Sequence, residues 1–367
     1  MNPIPLLDLK AQYFSLKEEL DQAVIRVLES GRYVLGPEVA ALEREIASLS
    51  GVKHGIGVAN GTDALLLLLD ALGIGPGDEV ITSPFTFFAT AEVISQRGAV
   101  PVFVDIDADT YNLDVQQVEE RVTERTKAVI PVHLFGQPAD MEPLMAIAQR
   151  YDLYVLEDAA QAIGARYHGA PVGSLGHAAS YSFFPTKNLG GYGDGGMIVT
   201  NDDALAEKLR ILRVHGSKPK YFHSLVGYNS RLDELQAALL RVKLSHLSRW
   251  NEARREWAML YDHMLKDLPL VRPVAARDRT HIYHLYIIQV EERDRMIQHL
   301  QEYGIASGVY YPLPLHLQEV YQGLGYREGE LPVAEAVSKR TLALPLYPEM
   351  GKETVLRVCH AVTAFFS

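Results

Sequence analysis

Three short stretches hold the residue types that covalent chemistry needs. The first is Tyr181-Ser182-Phe183-Phe184-Pro185-Thr186-Lys187-Asn188, running into Leu189-Gly190-Gly191-Tyr192-Gly193-Asp194-Gly195-Gly196. Its apolar, aromatic start reads as a short buried strand, with Lys187 where the strand stops and the glycines make the backbone pliable. An ammonium beside aromatic groups is partly desolvated, and its pKa falls. A neutral amine is what Schiff-base chemistry requires. A lysine in an ordinary surface loop is the competing reading.

The second stretch, Leu156-Glu157-Asp158-Ala159-Ala160-Gln161, closes a strand. Ligands of open α/β sheets bind outside the carboxyl ends of the strands. Asp158 there can hold a cationic ring nitrogen and Gln161 can donate to an oxygen; equally, Asp158 can cap the segment that follows. An acid at one strand end and a lysine at a later one suit pyridoxal 5′-phosphate, whose aldehyde takes the lysine while the acid keeps the pyridine nitrogen protonated. In the third stretch, Asn60-Gly61-Thr62-Asp63-Ala64, amides and a hydroxyl at a helix start form an anion site, or Thr62 or Asp63 simply caps the helix. Pro84-Phe85-Thr86-Phe87-Phe88 ends another strand with aromatics, one of which could stack on a planar cofactor or fill the core. Gly227 to Glu234 opens a helix with Asn229 and Arg231, and Arg213, His215, Lys218, Lys220 and His223 lie shortly before; these are phosphate partners or a solvated charged face.

Gly191-x-Gly193-x-x-Gly196 matches the dinucleotide fingerprint in letters only. Met197 to Thr200 follows and reads as a strand, whereas the fingerprint opens a helix. His281, His284 and His316 lack metal-ligand spacing, so no metal site is expected.

The elements around these stretches alternate. Helical spacing covers 15–50, broken at Gly31 to Pro37. Strands are expected at 55–59, 79–82, 102–104, 128–133 and 153–156. Helices are expected at 62–72, 88–97, 115–122 and 141–151, which gives a mostly parallel sheet with right-handed crossovers. Helices at 203–214 and 232–265 follow, the second long enough to link two domains. After Pro269 a strand at 281–290, a helix at 293–303, a strand at 308–311 and a closing helix at 352–366 form a smaller α+β unit. The expected division is 1–245, with the helical amino-terminal segment, and 246–367.

Apolar residues at 48% and charged residues at 22% suit a large enzyme core, and the net charge of −11 argues against nucleic-acid binding. Cys359 alone permits no internal disulfide and no cysteine-ligated cluster. The stretch from Met1 to Asp8 has no basic region ahead of an apolar core, and the longest apolar run, 64–69, is too short to span a bilayer. A cytoplasmic protein without membrane contact is expected.

Taken together, Asn-Gly-Thr-Asp-Ala-Leu at 60–65, Glu-Asp-Ala-Ala-Gln at 157–161, Ser-Phe-x-x-x-Lys-Asn at 182–188 and Asn-Ser-Arg-Leu-Asp-Glu-Leu-Gln-Ala-Ala at 229–238 resemble the DegT/StrS family of pyridoxal-phosphate nucleotide-sugar aminotransferases. The similarity runs from Leu6 to the carboxyl-terminal helix. It implies the aspartate-aminotransferase-like fold type I, an α/β protein with a large α/β/α domain and a smaller α+β domain. By position it implies Lys187 as the residue that binds the cofactor's aldehyde and shuttles the proton. It also implies Asp158 on the pyridine nitrogen, Gln161 on the ring hydroxyl oxygen and Phe87 stacked on the ring. Gly61, Thr62 and Ser182 would hold the phosphate with Asn229 of a neighbouring subunit, hence a homodimer with shared active sites. Tyr33, Arg231 and Tyr311 are substrate candidates; Tyr310-Tyr311-Pro312 stands where many members carry His-Tyr-Pro, so position 310 receives no role. Lys187 and the lone cysteine disfavour the family's dehydratase variants. Lys-Asn-Leu-Gly-x-x-Gly-Asp-Gly-Gly resembles members that aminate carbon 3. The implied reaction moves an amino group from L-glutamate to a dTDP-3-keto-6-deoxyhexose, or alternatively to a UDP-linked 3-keto hexuronate or a 4-keto sugar. A cofactor-binding regulatory protein without turnover is the reading from another class.

Overall fold

The computed structural model describes residues 3–219 and 221–367; Met1, Asn2 and Lys220 lie outside the described residues. Three helices lead in: α1 (Leu9–Ser15), α2 (Lys17–Ser30) and α3 (Pro37–Leu49). The Asp8 side chain accepts from the Ala11 amide to start α1, left-handed Gly31 ends α2, and Pro37, with its φ preset for a first turn, starts α3.

The alternation then follows. It comprises β1 (His54–Val58), α4 (Gly61–Ala71), β2 (Glu79–Thr82), α5 (Ala89–Gln96), β3 (Val100–Phe103), β4 (Thr126–Ile130), α6 (Met141–Tyr151) and β5 (Tyr154–Asp158). A small hairpin, β6 (Arg166–Tyr167) with β7 (Ala170–Pro171), precedes β8 (Ala178–Ser182), β9 (Gly196–Thr200) and α7 (Asp203–Leu212). Seven strands form one sheet in the order β1-β9-β8-β5-β4-β2-β3. Only β9 runs antiparallel to its neighbours. Successive strand residues serve opposite layers, as the pleat requires. Ala178 and Ile198 pack under α4 and α7, whereas Ala179, Met197 and Val199 pack with α3 and the helix after residue 233. Because β1, β8, β5 and β2 all run the same way, the ends of Val58, Ser182, Asp158 and Thr82 lie along one edge of the sheet.

The expected helix at 115–122 is instead two single 3₁₀ turns, Val115–Gln117 and Glu119–Arg121. Asp114 caps the first, and the β-branched residues at 115, 118 and 122 favour helix poorly. The long helix at 232–265 is two, α8 (Glu234–Leu244) and α9 (Leu247–Met264). At the break the Ser245 hydroxyl donates to the Val242 carbonyl at 2.7 Å, competing with the helical ladder. β10 covers only Tyr286–Gln289 of 281–290, because Tyr283 takes a positive φ of 47°. α10 (Arg293–Glu302) follows. No strand forms at 308–311: Gly308 makes one bridge to Ala343, and Tyr310 and Tyr311 leave it to pack beside Phe85 and Phe135. α11 (Pro332–Arg340) and β11 (Thr341–Leu344), which pairs antiparallel with β10, were not expected, and α12 (Lys352–Phe365) closes the chain. The core of this last unit also takes in Ile4 from the amino terminus.

Gly196 heads β9 between Val58 and Ser182. A Cβ there would lie 2.3 Å from the Asn60 carbonyl oxygen. Gly196→Ala should therefore displace the start of α4 and cost about 1–3 kcal/mol in urea unfolding; an unchanged midpoint would show that the two backbones are not so tightly apposed.

Candidate active site

Lys187 lies on the turn beyond β8, five residues after the strand's last residue rather than at its end, and its amide donates to the Phe184 carbonyl at 2.8 Å. Burial lowers its amine from 10.5 to about 8, against the opposing pull of the Asp158 charge. Among the described residues Lys187 has no ion pair, so Asp158 acts on it through space. The next residue is tied down firmly. Asn188 Nδ2 donates to Asn251 Oδ1 at 2.8 Å and to the Ile282 carbonyl at 3.3 Å, and its Oδ1 lies 3.2 Å from His284 Nδ1. Burial, with the charge of Lys187 next in weight, holds His284 well below 6.5 and therefore neutral.

Asp158 is 7% exposed at the end of β5. Its Oδ2 accepts from Thr90 Oγ1 at 2.8 Å and its Oδ1 from the Ala160 amide at 3.2 Å, so the capping reading of Asp158 applies to one oxygen only. Gln161 Oε1 accepts from the Phe135 amide at 2.8 Å. That bond turns its Nε2 towards Tyr311, whose hydroxyl lies at 3.2 Å, an orientation assigned from the hydrogen-bond network. Burial pushes the Tyr311 phenol well above 10, so it stays protonated. The Phe87 ring is 58% exposed beside Tyr311, with ring centroids 6.4 Å apart, while Phe85 is sealed in the core. Of the aromatics in that stretch, Phe87 is the one left with an open face.

Across the sheet edge, Asn60 caps α4 by accepting from the Asp63 amide at 2.7 Å, which corrects the assignment of the cap to Thr62 or Asp63. The first amides of a helix have no intrahelical acceptor. Those of Gly61 and Thr62 are therefore available beside the Ser182 hydroxyl. A Cβ on Gly61 would meet Ser182 Cβ at 2.8 Å. Only glycine permits this close approach, which leaves a cradle of amides and a hydroxyl of the kind that binds phosphate.

Tyr33, Asn229 and Arg231 gather ahead of α8, where Ser230 Oγ accepts from the Ala59 amide at 3.1 Å. The Glu234 amide donates to the Tyr33 carbonyl at 3.2 Å, Val34 bridges Asp233, and Asn229 bridges Val214. Asn229 and Tyr33 are exposed, and among the described residues no hydrogen bond or ring contact joins these three to Lys187, Asp158 or Gln161. Arg213 is not a phosphate partner: its guanidinium is spent on Glu43 and, at 2.8 Å, on the Gly57 carbonyl. Lys218 pairs with Glu207.

Thr86, Thr90 and Asn251 were not singled out from the sequence, and His284 was weighed only as a metal ligand. Thr86, in the turn before α5, and Thr90, in its first turn, were legible only as two hydroxyls amid apolar residues. Asn251 and His284 come from remote segments, and no local signal marks them.

The residues suit pyridoxal phosphate: an uncharged-capable amine, a buried carboxylate, an open aromatic face and a phosphate cradle share one edge. Residues 15–363 match the DegT/DnrJ/EryC1/StrS aminotransferase family. The chain belongs to this family. The aminotransferase is 56% identical over 99% of its length to a pleiotropic regulatory protein of Geobacillus stearothermophilus, covering 98% of that protein. It is 48% identical over 98% of its length to a UDP-N-acetyl-3-dehydro-alpha-D-glucosamine 3-aminotransferase of Acidithiobacillus ferrooxidans, covering 97% of it. It is also 48% identical over 98% of its length to the dTDP-3-amino-3,4,6-trideoxy-alpha-D-glucose transaminase of Streptomyces venezuelae, covering 95% of it. The crystal structure of S. venezuelae DesV in complex with a ketimine intermediate superposes with a TM-score of 0.98 at 47% identity, covering 100% of this chain and 99% of that one. The fold is therefore the pyridoxal-phosphate type I fold, and the protein is a pyridoxal-phosphate-dependent sugar aminotransferase.

The depressed Lys187 pKa has a definite sign. Between about 8 and 10.5 the unfolded chain holds a proton on Lys187 that the folded chain has released. Stability from this group therefore rises with pH across that window, and the penalty is full below it. In the absence of cofactor, Lys187→Met should gain on wild type at pH 7, with the difference narrowing from pH 8 to 10.5 in urea titrations. A difference that does not change with pH would contradict the buried amine.

Proposed function

We propose that this aminotransferase takes the amino group of L-glutamate and delivers it to carbon 3 of a nucleotide-linked keto-sugar, a dTDP-3-keto-6-deoxyhexose. The observation that carries the reading is the Lys187 amine, lowered to about 8 by burial even against the pull of the Asp158 charge. When bound, the cofactor supplies an aldehyde for the amine and a ring that absorbs the electron pair left on a deprotonated carbon.

The chain's own residues divide the rest. Lys187 Nζ, with a substantial neutral fraction near pH 8, binds the aldehyde and serves as the base at the donor's α-carbon. Asp158 holds the ring nitrogen in its protonated form. Gln161 Nε2, already aimed by the Phe135 amide, donates to the ring hydroxyl oxygen. Phe87 covers one face of the ring. Gly61, Thr62 and Ser182 bind the phosphate, which anchors the ring while the amine comes and goes. Asn229 completes the phosphate site of a second copy; its exposure supports a homodimer with shared sites. Tyr33 and Arg231 on the shoulder of α8 and Tyr311 beside Gln161 meet the sugar nucleotide. Among the described residues no helix is long and apolar enough to cross a membrane, and the one cysteine is buried and free; both agree with a cytoplasmic enzyme.

The Acidithiobacillus relative, with its UDP-linked 3-keto substrate, favours a UDP sugar as the second reading. The name of the Geobacillus relative favours a regulatory one. A panel of dTDP- and UDP-linked 3-keto and 4-keto sugars with L-glutamate separates them. The dTDP-3-keto sugar should give the highest kcat/KM, with parallel double-reciprocal lines, and Lys187→Ala should lose roughly 10²- to 10⁴-fold or more in kcat. Preference for a UDP sugar would move the substrate, and a cofactor that no amino donor converts would move the protein to the regulatory reading.

A further inference from the structure

Asp158 must stay ionised in a place that water barely reaches, and burial alone drives a carboxylate towards its neutral form. Donors have to offset that. The Ala160 amide reaches Oδ1 and the Thr90 hydroxyl reaches Oδ2 at 2.8 Å. Thr90 is sealed from solvent and Thr86 nearly so, and their hydroxyls lie 3.2 Å apart. A hydroxyl has a single proton to give. Since an ionised Asp158 can only accept, Thr90 spends its proton there, and the bond between the threonines must run from Thr86 to Thr90. The order Thr86 → Thr90 → Asp158 is thus fixed by valence, and each donation polarises the next. The other titratable groups acting at Asp158 are Lys187 and Tyr311. The imidazole of His133 is turned away onto Glu157 at 2.9 Å, and only its backbone amide donates to the Asp158 carbonyl.

We propose that Thr90, oriented by Thr86, is a positioning residue that holds the Asp158 carboxylate aimed at the pyridine nitrogen of the cofactor. The inference rests on the role given to Asp158 above. Without the Thr90 hydroxyl Asp158 loses the bond that aims it, and the ring nitrogen it faces holds its proton less firmly. The nitrogen that Lys187 contributes at the far end of the conjugated ring then becomes more basic.

The test is a pH titration of the visible absorbance band of the cofactor-loaded protein, for wild type, Thr90→Val, Thr90→Ser and Asp158→Asn. Thr90→Val keeps the shape and loses the hydroxyl; its midpoint should move upward by about one pH unit, the size expected for a hydrogen bond to a charged group. Thr90→Ser should titrate with wild type, and Asp158→Asn should move at least as far as Thr90→Val. A Thr90→Val midpoint equal to wild type, with Asp158→Asn shifted, overturns the role of Thr90 and leaves Asp158 standing. An Asp158→Asn midpoint equal to wild type removes the role of Asp158 and this inference with it. Should Thr90→Val not fold, Thr90→Ala carries the same comparison, and Thr86→Val should move the midpoint the same way by less.

Discussion

Desolvation of the Lys187 amine works against folding at neutral pH, by about 1.4 kcal/mol for each unit its pKa is lowered. Asp158 gives part of that back, yet no hydrogen bond closes between them, so the amine stays reactive rather than locked in an ion pair. The chain must therefore hold the lysine from its neighbours in sequence. Asn188 does this, tied to Asn251 of α9, to the Ile282 carbonyl and to His284. Lys243 of α8 does it from the other side: its amine donates to the Gly190 carbonyl at 2.7 Å and sits 4.4 Å from the centroid of the Tyr192 ring. The turn carrying Lys187 is thus gripped by two helices, and side-chain entropy is spent on the neighbours rather than on the Lys187 amine.

The second constraint is steric. Three backbones meet where β1, β9 and β8 end, and they approach so closely that Gly196 and Gly61 cannot carry side chains without a shift. This brings the first amides of α4 beside the Ser182 hydroxyl. The same sheet edge delivers Asp158 from β5 and, through the turn after β2, Phe87 and Thr90. A parallel sheet with one antiparallel strand is therefore a means of lining up strand ends, and the site is what stands on that line.

Much of this was legible in the sequence. Hydrophobic periodicity located β1, α4, β2, α5, α6 and α12 to within a residue or two, because each buries a regular face against one layer. It misjudged 232–265, where Ser245 breaks a helix whose apolar pattern continues, and 308–311, where two tyrosines mimic a strand but pack as rings on a separate cluster. Residues at or just beyond strand ends, such as Asp158, Gly61 and Lys187, announced themselves by type and spacing. The residues that hold them, Thr90, Asn251 and His284, did not, since their roles exist only after remote segments have met.

The central claim is that Lys187 is the amine that binds the cofactor. Lys243 is a real competitor, being also buried and lowered to about 8. Reducing the cofactor-loaded protein with borohydride and mapping the labelled peptide by mass spectrometry separates the two. The account predicts one phosphopyridoxyl group per chain, on the peptide containing Lys187. A label on Lys243, or no stable label on either lysine, would contradict it.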